Sequence, residues 1–235
     1  MASSIRIPRR FCGPPDSGNG GYTCGLVSHA MQVPADVTLR RPVPMETDLS
    51  VVDAANGVHL MQGEELIAEG APLVWTAPVP GEAITFKGAE YAAAHSPAFE
   101  NHPFPTCFTC GPDRAQGDGL RIFPGKWHGS GRDYWAATWV PHSDLVGKGD
   151  IIRDEIVWAA LDCPTGFAGG FPWDGTLVTG RLGAQLLAPV HAEEKCILLS
   201  WATGAEGRKR LAECVLLGED GTVRAASRAT WIKLA

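Results

Sequence analysis

Two short stretches bring together residue types that could act on an electrophilic carbonyl. In Asn19-Gly20-Gly21, glycines stand at the start of a candidate helix. Backbone amides there have no partner within the helix and sit at the positive end of its dipole, a setting suited to holding an oxyanion. Glycine also lets a substrate come close to the backbone. The second stretch places one acid, Asp162, in the apolar run Ile156-Val157-Trp158-Ala159-Ala160-Leu161 and just before Cys163-Pro164. A carboxylate in such a run is costly to desolvate unless something nearby pairs or uses it. Asp162 reads as a general base on water, as a nucleophile forming a transient anhydride, or as a structural acid where Pro164 bends the helix. Asn19 reads equally as an orienting amide and as a plain N-cap, and Gly20-Gly21 equally as a tight turn entering a helix.

Other reactive side chains carry weaker patterns. Cys107 and Cys110 form a C-x-x-C pair, but a structural zinc site normally takes four ligands. Cys12 and His102 are the candidates for the other two, no second close pair exists, and no metal is expected. Cys163 has no His partner in sequence and reads as a small buried residue. No G-x-S-x-G elbow surrounds Ser28. The seven histidines are scattered and receive no role. The eight tryptophans sit mostly in strand-like segments and should be core, with Trp135, Trp139 and Trp158 the alternatives for lining a substrate tunnel.

The elements that must position these residues occur in a repeated order. Residues 1–18 read as an irregular arm and 19–31 as a helix weakened by Gly20, Gly21 and Gly25. Strands follow at 37–44 and 49–53, with a hairpin of 57–62 and 66–70 around Gly63-Glu64. A proline-rich stretch with a short helix at 89–95 reads as a connection. Strands at 119–123 and 134–141 come next, the latter alternating Trp135, Ala137 and Trp139. A helix at 156–168 precedes strands at 177–187, 196–203, 209–217 and 222–234, the last two joined by an Asp220-Gly221 turn. Helix followed by antiparallel strands therefore appears twice. The division expected is one unit over 1–80, a linker with a short helix over 81–106, and a second unit over 107–235. Edge-to-edge pairing of the two would remove exposed strand edges.

Composition narrows the function classes. The 235 residues are 45% hydrophobic, ample for a packed core, and the net charge of -6 argues against a nucleic-acid binder. Basic spots at Arg6, Arg9 and Arg10, at Arg40-Arg41 and at Arg208-Lys209-Arg210 are either solvated charge or a clamp for phosphates. Seven cysteines without framework spacing, and no apolar signal segment in residues 1–11, point to a reducing cytoplasm. No apolar run reaches bilayer-spanning length, so no membrane partner is expected.

The chain resembles the double hotdog acyl-CoA thioesterases, an α+β tandem architecture in which each central helix is wrapped by a curved antiparallel sheet. The resemblance rests on Cys107-Phe108-Thr109-Cys110-Gly111-Pro112-Asp113 with Gly119-Leu120-Arg121-Ile122, and on Trp158-Ala159-Ala160-Leu161-Asp162-Cys163-Pro164. Asn19-Gly20-Gly21 and the closing Ala225-Ala226-Ser227-Arg228-Ala229-Thr230-Trp231 add to it. In the branch similar to phenylacetate-pathway thioesterases, a His-Gly-Gly triplet starts the central helix and an acid lies nine positions after the His. Here Asn19 replaces that His and Ser28 stands at the acid position. In the second unit Asp162 is the acid, nine residues after Arg153, which is followed by Asp154-Glu155 instead of glycines.

The resemblance implies one competent composite site, Asn19, Gly20 and Gly21 facing Asp162, and one lost site, Arg153 facing Ser28. Asp16 and Ser17 would supply an extra polar group. It implies hydrolysis of an acyl-CoA or acyl-carrier-protein thioester with no cofactor beyond the CoA of the substrate, by a chain that forms a homodimer. A non-catalytic acyl-CoA-binding protein is the alternative; a dehydratase ranks last because neither helix carries the His it would need.

Overall fold

In a computed structural model, residues 3–81, 83–129, 131–171 and 174–234 are described. The first part runs β1 (Ser3–Arg6), α1 (Gly20–Met31), β2 (Ala35–Leu39), β3 (Asp48–Ala54), β4 (Gly57–Gln62) and β5 (Glu65–Pro72). After α2 (Phe86–Ala94) come β6 (Gly125–His128), β7 (Asp133–Trp139), α3 (Asp154–Gly169), β8 (Leu177–Leu186), β9 (Cys196–Glu206), β10 (Lys209–Leu217) and β11 (Val223–Lys233). The described strands form one antiparallel sheet in the order β1-β3-β4-β5-β2-β8-β11-β10-β9-β7-β6. Its two halves meet where β2 pairs with β8, Ala35 opposite Ala184 and Thr38 opposite Arg181. The edge of one half is thereby satisfied by the edge of the other.

The sheet wraps two central helices that pack against each other and run antiparallel. Glycines permit the close approach. A Cβ placed on Gly21 would lie 2.5 Å from the Asp162 Cβ and 2.6 Å from the Trp158 carbonyl oxygen, and one on Gly25 would lie 2.5 Å from the Glu155 Cα. The glycines that cost α1 helix propensity therefore serve the contact with α3. Side-chain hydroxyls donate to carbonyls at and before the proline in α3. Thr109 donates to the Ala159 carbonyl (3.0 Å), Thr165 to that of Asp162 (2.6 Å) and Ser200 to that of Pro164 (2.7 Å). The helix continues through Pro164 to Gly169 instead of stopping there, and a left-handed Gly170 ends it.

Three expectations change. The arm contains β1, which pairs with β3 and supplies the opening strand missing from the sequence reading of the first half. Residues 119–123 are loop, and the strand begins later, at Gly125. The 89–95 helix is more than a connection: α2 covers the outer face of the second half of the sheet. Ala89 and Ala92 pack there with Tyr134, Ala136, Ile197, Leu199, Trp201, Val215 and Leu217. The alternate residues Trp135, Ala137, Trp139, Cys196, Leu198, Cys214 and Leu216 join the inner core around the helices. Two buried faces explain why 196–201 is continuously buried rather than alternating.

Candidate active site

The Asn19 carboxamide caps α1. Its Oδ1 accepts from the Tyr22 N–H at 2.9 Å, while its Nδ2 donates to Thr109 Oγ1 at 3.3 Å and lies 3.6 Å from Cys107 Sγ. Both of its ends are thus engaged by protein groups, and the side chain is buried. Asp162 sits midway along α3, only 1% exposed. Its Oδ2 accepts from the Gly21 N–H and its Oδ1 from the Thr179 hydroxyl, both at 2.9 Å. Burial pushes its carboxyl up from 3.8 to about 7, against the opposing pull of Thr179 and the Gly21 amide. Two hydrogen bonds leave each carboxylate oxygen a free lone pair.

One cavity of about 510 Å³ gathers these groups. Its wall includes Asp16, Ser17, Asn19 and Gly20 from the first part and Cys107, Cys110, Asp162, Cys163 and Thr179 from the second. Phe104, Phe171, Leu177 and Trp231 line its apolar portion, and Arg40 and Arg41 belong to the same wall. Arg40 is ion-paired with Glu69, and Arg41 with Glu65 at 3.1 Å. Among the tryptophans, Trp231 reaches the cavity, whereas Trp135, Trp139 and Trp158 pack in the core and do not line it.

The candidates from sequence separate into three groups. Asn19, Gly20 and Asp162 meet at the cavity. Gly21 faces α3 with its amide already bonded to Asp162, whereas Gly20 lines the cavity and its amide has no acceptor among the described residues. Asp16 is exposed, and Ser17 accepts from the Val43 N–H at 2.9 Å, so Ser17 braces the loop. Arg153 and Ser28 lie outside this cavity. The Arg153 guanidinium pairs with Glu155 at 3.5 Å and donates to the Leu145 carbonyl at 3.3 Å, and Ser28 is half-buried on α1.

Sequence reasoning missed Thr179 and Thr109. The alternation of β8 places Thr179 toward the helices only once the register is known. Thr109 sits in the C-x-x-C turn and bridges Asn19 to the Ala159 carbonyl. Cys163 Sγ lies 3.8 Å from Cys107 Sγ, and both thiols are buried. Hydrogen bonds from Cys110 and Cys163 hold Cys107 well below the ordinary thiol range. Cys12 does not join them; its thiol donates to the Thr106 carbonyl.

No family model and no curated protein matches the chain. Solved structures do. The tesB protein of Mycobacterium avium subspecies paratuberculosis superposes with a TM-score of 0.64 at 11% identity, covering 99% of this chain and 92% of that one. A conserved protein of unknown function with hot dog fold from Alicyclobacillus acidocaldarius gives 0.57 at 12% identity, covering 100% and 96%. This chain is a double hotdog. The superposition extends over both halves of the chain, and the cavity is walled by residues of both α1 and α3.

Proposed function

We propose that this double hotdog hydrolyses acyl-CoA thioesters at the cavity shared by α1 and α3. The observation that carries the reading is the meeting, on one wall, of a buried carboxyl poised near neutrality and a helix N-terminal amide from the other half of the chain. A general base is most effective when its pKa lies near the working pH. The tesB protein, whose structure shares the fold over the whole chain, points the same way by its name.

In this mechanism Asp162 takes a proton from water as the water oxygen attacks the thioester carbon. Negative charge develops on the carbonyl oxygen and is held by the Gly20 N–H at the positive end of α1, with Asn19 keeping that end in place. Collapse breaks the C–S bond, and protonated Asp162 returns its proton to the leaving sulfur. Gly21 and Thr179 act as positioning residues, each holding one oxygen of Asp162. The acyl group occupies the portion lined by Phe104, Phe171 and Trp231, and Arg40 and Arg41 meet the phosphates of CoA, exchanging Glu69 and Glu65 for them.

The test is thiol release from a panel of acyl-CoAs, acetyl to long-chain and including phenylacetyl and benzoyl, for the protein and for Asp162→Asn. Turnover that falls by about 10²–10⁴ in the variant is expected. Absence of turnover with every member, while CoA esters still raise the melting temperature, would replace hydrolysis by acyl-CoA binding.

A further inference from the structure

The geometry points to a zinc site at Cys107, Cys110 and Cys163, a triad of sulfurs that the hydrolytic reading does not use. The three Sγ atoms lie within 4.8 Å of one another and all are buried. A tetrahedral zinc held at about 2.3 Å by each sulfur sets its sulfurs about 3.8 Å apart. Cys107 and Cys163 already stand at 3.8 Å. Three sulfurs with no carboxylate among them select a thiophilic cation over magnesium or calcium.

A tight turn and two outside donors shape the sulfur cluster. The turn from Cys107 to Cys110 is closed by the Gly111 N–H donating to the Cys107 carbonyl at 2.9 Å. It is so tight that a Cβ on Gly111 would lie 2.5 Å from the carbonyl oxygens of Cys107 and Pro105. This turn aims both cysteines of the pair at the third, on α3. Donors reach the sulfurs from outside. Asn19 Nδ2 approaches Cys107 Sγ at 3.6 Å, and His102 Nε2 approaches Cys110 Sγ at 3.2 Å. His102 Nδ1 accepts from the Phe104 N–H at 3.0 Å, which assigns the ring proton to Nε2 and makes the imidazole a donor to sulfur. His102 is therefore an outer support for a metal-bound thiolate and not itself a ligand.

All three cysteines also line the cavity, which leaves a fourth position for water. Bound there, the metal would clip the 107–110 turn to α3. That turn carries Thr109, which holds Asn19, so the clip would fix the N-terminus of α1 against Asp162.

The full chain, purified under reducing conditions without chelator, is analysed for metal by inductively coupled plasma mass spectrometry. About one zinc per chain is expected, as for a structural site. Zinc content should fall at least about tenfold in Cys110→Ala and stay unchanged in Cys214→Ala, a buried thiol elsewhere in the sheet. Should Cys110→Ala fail to fold, alkylation mapping of the unaltered chain decides: Cys107, Cys110 and Cys163 are protected until a chelator is added. A reduced chain that carries no zinc and, given Co²⁺, shows no thiolate-to-cobalt charge-transfer band overturns the site. So does a chain isolated with two of these cysteines joined as a disulfide.

Discussion

Replacing Asp162 by Asn should make the protein inactive and, at alkaline pH, more stable. Burial raises the native carboxyl from 3.8 to about 7, so the ionised native form is disfavoured by about 4 kcal/mol relative to an unfolded chain. Between those two values the native state binds the proton that the unfolded state has released, and stability falls as pH rises, levelling off above about 7. Asn is nearly isosteric and still accepts from the Gly21 N–H, while the Thr179 hydroxyl can rotate to accept from the new amide. The variant therefore lacks this pH dependence. Near pH 4 the two proteins should be equally stable; near pH 8 Asp162→Asn should be ahead by up to about 4 kcal/mol, roughly 8–16 °C in Tm for a chain of this size. Urea unfolding at pH 4, 6 and 8 reads the difference. Carboxyls held low by their partners, such as Asp174 beside Lys233 and Arg210, lose stabilisation only as pH falls toward and below their ordinary values. They are common to both chains and cancel. A variant less stable than the parent at pH 8, or a gap that does not widen from pH 4 to pH 8, would refute the account of Asp162 as a carboxyl whose hold on its proton is raised by burial.

Three further expectations follow from the same contacts. Thr179→Val removes one hydrogen bond to the ionised carboxylate, worth about 1.5–3 kcal/mol, so the midpoint of the rise in kcat/KM with pH should move up by about one to two pH units. Gly25→Ala pushes a methyl against Glu155 at a distance from the cavity; overpacking of about 1–3 kcal/mol should lower the urea midpoint, with KM unchanged in the surviving folded protein. Arg40→Ala combined with Arg41→Ala should raise KM for acyl-CoAs roughly fivefold, the scale of about 1 kcal/mol for exposed ion pairs, and leave KM for short thioesters without phosphates unchanged.

Much of the fold was legible because it is written locally. The Gly57–Gln62 strand, the β10–β11 hairpin turning at Asp220-Gly221, and the start of α1 after Asn19 depend on alternation, turn chemistry and capping within a few residues of each site. The start of β6 was misread because Leu120, Ile122 and Phe123 are apolar for another reason. They pack as loop against the core, with Leu120 and Ile122 donating to the Phe108 and Thr109 carbonyls. Burial alone does not distinguish such a loop from a strand.

By itself the sequence determined that an acid lies in an apolar helix, that glycines open another, and that the two occur in complementary halves of a repeated plan. Only the tertiary structure decided what those groups touch. Gly21 turned from a free amide into the partner of Asp162, 141 residues away, because its missing side chain lets α1 and α3 come together. Thr179 became a donor to the same acid only through the pairing of β8 with β11, Thr179 opposite Trp231, and the wrapping of that sheet around α3. Cys163 met Cys107 across 56 residues, where sequence spacing offered only the C-x-x-C pair. Periodicity and capping are short-range and survive in the linear chain; the desolvation that raises an acid, and the distance between sulfurs, exist only once distant segments exclude water together.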